Sequence, residues 1–392
     1  MSDGVVVVGM ARTAMGGMQG AFSELSAASL GGFAIAGALT DAGLQPSSVN
    51  EVLMGCVLPA ALGQAPARQA ALAAGIPASV PATTVNKVCG SGMKTVIMAH
   101  NALTVGDVDV VVAGGMENMS RAPYMLAKAR DGYRLGHAEM YDHMFFDGLQ
   151  DAYSGELMGN YAEATAEKYQ FSRQRQDDFA IESLAKANKA IAEGLFSREI
   201  TPVTIRSRKG NVVVIEDEQP TSARPDKISS LRPAFKKDGT VTAANASSIS
   251  DGAAALVLMC ESKACAQGLQ PIARIRAYAE YAHEPEWFTT APVGAIKKLL
   301  ENCRWSLNDI DLFEINEAFA VVTLTAIQEL GIASNKVNVH GGACALGHPL
   351  GASGARVLVT LIAALQIRGG KRGLAALCIG GGEGIAMAVE IL

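Results

Sequence analysis

The sequence predicts an α/β protein built from two similar halves, with a long polar insertion in the first half. Three observations lead to this prediction. Short apolar runs alternate with helix-like segments, which predicts a largely parallel sheet covered by helices. Between residues 117 and 246 the apolar runs disappear, while charged residues, Tyr and Met become more frequent. Beyond residue 271 the pattern of the first half returns.

Length and composition limit the class of protein. A chain of 392 residues is too long to fold around one ordinary hydrophobic core, so two or three domains are expected. A net charge of −5 gives no basic field, so neither nucleic acid nor an anionic membrane is expected as a partner. The apolar runs are interrupted by Gly or charge before they reach about 18 residues, so no membrane span is expected. The seven cysteines form no CxxC pair, and no leader precedes the first apolar run, which together predict reduced thiols in the cytoplasm.

The predicted elements follow from hydrophobic pattern and from glycine or proline stops. In the first half these are strands at 5–9, 49–57, 83–88 and 108–113 and helices at 25–42, 64–74 and 93–105. The insertion contains one clear amphipathic helix at 173–193 among long loops, and a strand returns at 253–259. The second half has strands at 272–279 and 312–315 and helices at 291–302 and 355–365.

Three segments of the second half echo segments of the first in the same order. The segment 306–314 resembles 44–53, Val337-Asn338 repeats Val85-Asn86, and 375–381 resembles 110–115. One such match would be chance, but three in order indicate an internal duplication. Two similar halves would pack together, and their equivalent turns would meet at one interface.

Cys89 lies at a predicted strand-to-helix turn, in Val85-Asn86-Lys87-Val88-Cys89-Gly90-Ser91-Gly92. Exposed N–H groups at a helix N-terminus stabilise an anion, so this turn is expected to lower the pKa of the thiol and favour the nucleophilic thiolate. Most free cysteines are instead small buried apolar residues. From this segment alone both interpretations stay open.

The second half offers partners for such a thiol. His348 lies in a predicted glycine-rich turn, Gly347-His348-Pro349-Leu350-Gly351-Ala352-Ser353-Gly354, and by the duplication it could approach Cys89. A cysteine–histidine pair holds a thiolate ready, although a lone histidine is more often a structural hydrogen-bonder. Cys378 ends a predicted strand before Gly380-Gly381-Gly382, whose N–H groups could stabilise an oxyanion. Alternatively, Cys378 is a cysteine buried in a strand without a chemical role.

Two further polar groups have less specific patterns. Asn316 follows a strand, where it could hold a carbonyl oxygen or a water, or simply cap a helix. The cluster of His137, Glu139, Asp142 and His143 has no settled helical register, so no metal site is predicted there. The glycine runs match neither a dinucleotide fingerprint nor a phosphate loop.

Taken together, five segments resemble the signatures of the thiolase family over essentially the whole chain. These segments are 85–92, Gly114-Gly115-Met116-Glu117-Asn118-Met119-Ser120, Asn316-Glu317-Ala318-Phe319, Gly347-His348-Pro349 and Cys378-Ile379-Gly380-Gly381-Gly382. The resemblance implies a thiolase-like α/β fold, with two duplicated βαβαβαββ halves in a layered α/β/α/β/α arrangement plus a loop domain. The implied domains are 1–119 with 248–270, the loop domain 120–247, and 271–392.

The resemblance also implies catalytic roles. Cys89 would carry the acyl group, and His348 would activate it. Cys378 would remove or return the α-proton. Asn316, through a water, would join His348 in one oxyanion hole, and the N–H groups of Cys89 and Gly380 would form the other.

By the same resemblance, coenzyme A would lie along the loop domain. The residues expected beside the substrate are Leu149, Met158, Phe235, Ala243, Ser247, Phe288, Ala318 and Phe319, with Arg224 and Lys227 near the nucleotide. Three departures from the family pattern bear on this site. Leu157 stands where many relatives have a histidine, Trp287-Phe288-Thr289 replaces a Met-Gly pair, and Arg224 and Lys227 substitute for the usual nucleotide-facing residues.

The segment 117–124 looks most like the acetyl-CoA acetyltransferase branch of the family. The expected reaction is the reversible condensation of two acetyl-CoA to acetoacetyl-CoA and CoA, through an acyl-cysteine and without a cofactor. The alternatives are a degradative 3-ketoacyl-CoA thiolase of broader chain length and a non-catalytic CoA- or lipid-binding homologue. The segment 127–141 resembles a tetramer-forming loop, so a homotetramer, a dimer of dimers, is expected.

Overall fold

A computed structural model describes residues 3–207 and 210–392 of the chain. The strands are β1 (Val5–Arg12), β2 (Gly16–Gly17), β3 (Glu51–Gly55), β4 (Ala82–Val85), β5 (Val110–Asn118), β6 (Tyr124–Met125), β7 (Tyr141–Asp142), β8 (Val203–Ser207), β9 (Gly210–Val214), β10 (Ser250–Cys260), β11 (Ala273–Ala282), β12 (Leu312–Ile315), β13 (Arg372–Ile379) and β14 (Glu383–Ile391). The helices are α1 (Ala27–Ala42), α2 (Pro66–Ala73), α3 (Ser91–Val105), α4 (Met158–Lys168), α5 (Arg173–Ala192), α6 (Glu218–Ser222), α7 (Glu261–Ala266), α8 (Ala291–Cys303), α9 (Ala320–Leu330), α10 (Ala343–Leu346) and α11 (Leu350–Arg368).

One large sheet runs through both halves in the order β12-β13-β14-β11-β1-β10-β5-β3-β4. The halves join where β1 pairs with β11, at Val6 with Arg274 and Val7 with Ala273. The sheet is mixed, so the expectation of a largely parallel sheet was wrong. Among the strands of the described residues, the parallel pairs in this sheet are β3–β4, β3–β5 and β12–β13. The alternation of strands and helices hid the antiparallel strands, because β10 follows the insertion and β14 follows β13 by a tight turn.

Three layers of helices and the two half-sheets alternate to form five layers, as expected. The helices α1 and α2 pack on the outer face of the first half, and α8 and α9 pack on the outer face of the second. The helices α3 and α11 lie in the middle, between the inner faces of the two half-sheets. Each core is made mainly of Ala, Val, Leu and Ile, whose compact side chains suit such thin layers.

The duplication seen in the sequence is present in the fold. In each half a central strand pairs in parallel with its neighbour, since β3 pairs with β5 as β12 pairs with β13. The strand β4, which leads to Cys89, has its counterpart at Val337, which bridges to Phe313 of β12. The buried helices α3 and α11 follow the two equivalent turns.

The central helix α11 was only partly predicted. It begins at Leu350 rather than Ala355, so Gly351 and Gly354 belong to the helix and not to a turn. A Cβ on Gly354 would lie 2.3 Å from the backbone N of Met93, and one on Gly351 would lie 2.8 Å from Glu117 Oε2. These glycines therefore allow the helix to pack closely against neighbouring segments. In the sequence they resemble the glycines of a turn.

The same helix is long and apolar enough to cross a membrane by length and composition, with a mean hydropathy of 1.6. However, 89% of that apolar segment is buried inside the protein. Its apolar character is explained by its position, because a helix that is covered on all sides by two half-sheets has no solvent-facing stripe.

The loop region between β5 and β10 contains more regular structure than was predicted. The helix α5 was predicted correctly, but α4, α6 and the short hairpin of β6 and β7 lie where long loops were expected. The hairpin of β8 and β9 was missed, because Val212 and Val213 of β9 face solvent and the charged stretch before it hides the strand pattern. The division of the chain into domains at 119, 247 and 270 stays a prediction.

Candidate active site

A largely apolar cavity of about 610 Å³ lies where the two halves meet the loop region. Its lining includes most of the residues that were expected at the substrate site, namely Cys89, Leu149, Met158, Phe235, Ala243, Ser247, Phe288, Ala318, Phe319, His348 and Gly380. They come from distant parts of the sequence, and only the tertiary fold brings them together.

Cys89 is held at the inner end of this cavity by a strained turn. The preceding Val88 has a φ of 46°, a left-handed conformation that β-branched residues rarely adopt. Two hydrogen bonds hold it there, since Asn86 Oδ1 accepts from the N–H of Val88 at 2.9 Å and Ser91 Oγ donates to the carbonyl of Val88 at 2.6 Å. This turn lets the chain change from β4 to α3 within a few residues and leaves Cys89 8% exposed.

The expected lowering of the Cys89 pKa was wrong. Burial raises the pKa of this thiol to about 11, although the backbone N–H groups of Gly380 and of Cys89 itself oppose the increase. The negative charge of Glu117 raises it further. At a helix N-terminus that is shielded from water, desolvation outweighs the backbone dipoles. Cys89 is therefore a neutral thiol at rest and needs a base.

His348 meets the requirements for that base. The hydroxyl of Ser353 donates to the carbonyl of Pro349 at 2.9 Å, so it accepts from His348 Nδ1–H at 2.6 Å. This contact places the imidazole proton on Nδ1 and leaves Nε2 as an acceptor that can take a proton. Burial and then the charge of Arg356 lower the pKa of His348 to about 3, which keeps the ring neutral.

Asn316 lies next to this ring rather than at a helix cap. Its Nδ2 is 3.4 Å from His348 Nε2, and its Oδ1 accepts from Arg356 Nη2 at 3.3 Å. The helix α9 begins only at Ala320 and has Phe319 at its N-cap position, so the capping alternative does not hold. Asn316 is 1% exposed, behind the residues that line the cavity.

Cys378 ends β13, as the sequence indicated, and is fully buried. Burial raises its pKa well above that of an ordinary thiol, and the neighbouring Cys89 raises it further. It packs in one cluster with Phe288, Ala318 and Phe319, which line the cavity. Two buried thiols with raised pKa values therefore lie together where β13 and the Cys89 turn converge.

The outer part of the site carries positive charge. Arg224 and Lys227 do not line the main cavity but lie around a second one of about 330 Å³. The two cavities share Gln219, Ala243 and Ser248 in their linings, so they form one continuous groove. Both cations are exposed, which suits contact with a solvated phosphate better than deep burial would.

Aromatic rings narrow the inner end of the cavity. Phe288 lies edge-to-face against Phe319, with ring centroids 6.4 Å apart, and makes a similar contact with Tyr161. Phe319 in turn contacts Phe235, with centroids 6.1 Å apart. Phe288 is 2% exposed, so its ring is fixed by packing and limits the space beside Cys89 and Cys378.

Several groups at the site were missed by the sequence analysis. Gln219, Ile249 and the loop around Met18 line the cavity, and nothing in their local sequence indicates it, whereas Leu157, which was named as a departure from the family pattern, lines it as well. Arg356 did carry a signal, because it is the one charged residue among the apolar residues of 350–365. Ser353 lies in the quoted glycine-rich motif, but its role depends on the direction of a hydrogen bond.

The polar cluster in the insertion is occupied by internal contacts. His143 Nδ1 is 2.5 Å from Asp147 Oδ2, and His143 Nε2 accepts from the N–H of Ala60 at 3.3 Å. Among residues 3–207 and 210–392, no three His, Cys, Asp or Glu side chains lie close enough to hold a metal ion.

Comparison with known families covers nearly the whole chain. The model of the thiolase N-terminal domain matches residues 5–262, and that of the thiolase C-terminal domain matches residues 269–391. Two curated relatives are named acetyl-CoA acetyltransferase. The one from Cupriavidus necator is 50% identical over 100% of both chains, and the one from Escherichia coli is 51% identical over 99% of both.

Solved structures give the same result. The acetyl-CoA acetyltransferase of Bacillus anthracis superposes with a TM-score of 0.97 at 42% identity, over 100% of this chain and 99% of that one. The Acat5 thiolase of Ascaris suum, solved in complex with coenzyme A, has a TM-score of 0.94 at 43% identity, over 99% of this chain and 100% of that one.

The pairing of Cys89 with His348 can be tested by alkylation. At pH 7 we expect iodoacetamide to modify Cys89 at least about tenfold more slowly in His348→Gln than in the wild type, because the buried thiol loses its proton acceptor. Quantitative peptide mass spectrometry measures each cysteine separately. The exposed Cys265 is the internal control and should react equally in both proteins. Equal rates at Cys89 would show that His348 is not the acceptor.

Proposed function

Because the chain belongs to the thiolase family, we propose that its cavity condenses two acetyl-CoA molecules through an acetyl-cysteine on Cys89. The enzyme is an acetyl-CoA C-acetyltransferase, which forms acetoacetyl-CoA and CoA reversibly. One observation carries the proposed course of the reaction. Cys89, His348 and Gly380 line one largely apolar cavity, the N–H of Gly380 hydrogen-bonds the thiol of Cys89, and Cys378 lies near enough to Cys89 to interact with it electrostatically.

The first half-reaction transfers the acetyl group to the enzyme. His348 Nε2 takes the proton of Cys89 as the sulfur attacks the thioester carbonyl of acetyl-CoA. The carbonyl oxygen becomes an oxyanion and is stabilised by the N–H groups of Cys89 and Gly380, which already point at the sulfur. The C–S bond to coenzyme A then breaks, and the leaving thiolate takes the proton of Cys378, while His348 keeps the proton of Cys89 on Nε2. The products are acetyl-Cys89 and CoA.

The second half-reaction forms the C–C bond. Cys378, now a thiolate, removes an α-proton from a second acetyl-CoA, and the enolate oxygen is stabilised by the Nε2–H of His348 and, through a water, by Asn316. The raised pKa of Cys378 makes its thiolate a strong base, which suits a weakly acidic α-carbon. The enolate carbon attacks acetyl-Cys89, and the sulfur of Cys89 leaves as acetoacetyl-CoA forms and takes the proton back from His348. Two thiols are needed because one is occupied by the acetyl group while the other moves the proton.

The same proposal includes where coenzyme A lies. Its pantetheine arm follows the groove past Leu149, Met158, Phe235, Ala243, Ser247 and Ala318, and its phosphates lie near Arg224 and Lys227. The groove supports this placement because it is apolar inside and positively charged at its outer end. All charge that develops during the reaction is balanced by protein groups, so the proposal requires no further cofactor. Activity should therefore survive dialysis against EDTA.

A degradative thiolase of broader chain length is less well supported than the acetyl-specific enzyme. The fixed rings of Phe288 and Phe319 leave little room for a longer acyl chain beside Cys89. A non-catalytic CoA-binding homologue would have no need for two buried thiols and an unprotonated histidine at one place. Both alternatives are distinguished by the variants described below.

We further propose a cytoplasmic homotetramer. All seven cysteines are free thiols, and two of them must stay reduced for activity, which suits the cytoplasm; cell fractionation would test this location. The hairpin of β6 and β7 carries the loop 126–140, whose apolar side chains face solvent. Leu135 is 100% exposed and Met140 is 63% exposed, which a second copy of the chain would cover.

The two thiols should separate the half-reactions. Cys89→Ala should form no acetyl-enzyme from radiolabelled acetyl-CoA and should not condense. Cys378→Ala should still become acetylated at Cys89, while condensation falls by at least about 100-fold, because general base catalysis is lost. Cys303→Ala, on the outer helix α8, is the control and should keep wild-type activity. Near-normal condensation by Cys378→Ala would contradict the proton-transfer role.

Chain-length preference should depend on Phe288. In the thiolysis direction, Phe288→Ala should raise kcat/KM for 3-ketohexanoyl-CoA relative to acetoacetyl-CoA by at least about tenfold, because even one accommodated methylene contributes about 1–3 kcal/mol. Phe171→Ala is the control, since Phe171 belongs to the same core cluster but lines a different cavity. A wild-type enzyme that already prefers the longer substrate would favour the degradative alternative.

The oligomer should depend on the exposed loop. Light scattering coupled to size exclusion should give four chain masses for the wild type and two for Leu135→Asp, because a charge placed in an apolar contact is costly. Val105→Asp is the matched control, since Val105 is 73% exposed on the end of α3. A wild-type mass of one or two chains would contradict the tetramer.

A further inference from the structure

Arg356 places a positive charge inside the central helix α11. Its side chain is 2% exposed, and it is surrounded by the most completely buried layer of the protein. Its Nη1 donates to Glu314 Oε1 at 2.7 Å, so the charge is paired. Burying such a pair seldom stabilises a fold more than apolar residues of similar size would. The presence of this ion pair next to the active site therefore needs a reason beyond stability.

The geometry of the guanidinium fixes the orientation of Asn316. Arginine can only donate hydrogen bonds, so the atom of Asn316 that faces Nη2 at 3.3 Å has to be the oxygen Oδ1. The amide NH2 is then turned the other way, towards His348 Nε2 at 3.4 Å. A freely rotating amide would present its oxygen to the cavity half of the time, and an oxygen there would repel a developing oxyanion. Arg356 excludes that orientation.

The charge of the guanidinium acts on His348 as well. Burial lowers the pKa of His348 most, and the positive charge of Arg356 lowers it further. The charged or titratable groups around this imidazole are Arg356 on α11, Glu314 on β12 beside Arg356, Glu117 on β5 beside the start of α11, and the thiols Cys89 and Cys378. Glu317 and Glu199 lie behind them and interact with Arg356. Of this set, Arg356 alone carries positive charge.

We propose that Arg356 is a positioning residue for the condensation, which holds the NH2 of Asn316 on the side of His348 and the reacting oxygen. The proposal rests on the function proposed above, because that function assigns Asn316 and His348 the stabilisation of the enolate. Arg356 lies outside the lining of the cavity and acts through Asn316.

A second buried arginine provides the comparison. Arg12 is 0% exposed, and its guanidinium pairs with Asp217 at 2.7 Å and with Glu199 at 2.6 Å. It contacts none of Asn316, His348 or the two thiols. An ordinary structural role for buried arginines predicts that substitutions at Arg12 and Arg356 have the same effect. The present proposal predicts that only Arg356 affects the chemistry.

Three variants of the full chain separate geometry from charge. Arg356→Lys keeps the positive charge but lacks the planar guanidinium group with its two NH2 donors. The double variant Glu314→Gln/Arg356→Gln removes both charges and keeps a hydrogen-bonding pair, so no carboxylate is left buried alone. Arg12→Lys is the matched control. Circular dichroism and thermal melting establish first that each variant is folded.

Two readouts follow. In both Arg356 variants, kcat for acetoacetyl-CoA thiolysis should fall at least about tenfold, because an oxyanion donor is no longer preorganised. In Asn316→Ala, adding Arg356→Lys should cause little further loss, since the two residues act as one unit.

The pH dependence of Cys89 alkylation should move only in the double variant. Loss of the positive charge raises the pKa of His348, so the acid limb should shift upward by about one pH unit.

The outcomes distinguish this proposal from the proposed function. Arg12→Lys should melt at a lower temperature but keep kcat and the acid limb. If Arg356→Lys turns over at the wild-type rate, or lowers kcat equally in the Asn316→Ala background, the positioning role is wrong while the function stands. An unshifted acid limb in the double variant would contradict the action on His348. Wild-type enzyme that neither condenses acetyl-CoA nor cleaves acetoacetyl-CoA would overturn the function itself.

Discussion

The site depends on the backbone contact between the two central helices. The N-terminal turns of α3 and α11 touch through glycines, since a Cβ on Gly92 would lie 2.7 Å from the backbone N of Ala355. The strand β5 also approaches α11 closely, since a Cβ on Gly115 would lie only 1.9 Å from the carbonyl oxygen of Gly351. Any side chain at these positions would push the two halves apart. The contact brings the turn before α3, with Cys89, against the turn before α11, with His348, and so assembles one site from two halves.

Burial then determines the protonation states in that site. The same layers that bury α11 remove water from Cys89, His348 and Cys378, so the neutral form of each is favoured. A neutral thiol beside a neutral imidazole stores no charge separation in the resting enzyme, and charge develops only when substrate is present. The preorganised N–H groups of Cys89 and Gly380 then stabilise that charge at little cost of reorganisation.

The sequence predicted the fold and the proposed catalytic groups better than it predicted their electrostatics. Cys89, His348, Asn316 and Cys378 were identified from motifs, and the structure brings them together. The pKa of Cys89 was predicted with the wrong sign, because a helix N-terminus indicates an anion site only when the depth of burial is known. The strands β8 and β9 were missed for a similar reason, since a hairpin with exposed valines does not show the alternation of a half-buried strand.

The sequence by itself determined the α/β class, the duplication and the residue types available for chemistry, because periodicity and repeated motifs are local and can be read along the chain. Only the tertiary structure decided which proton each group carries and which way each amide points. Ser353 orients the ring of His348 and Arg356 orients Asn316 through single hydrogen bonds between side chains. Such bonds and the desolvation around them depend on distances of a few tenths of an ångström between distant segments, which no local pattern encodes.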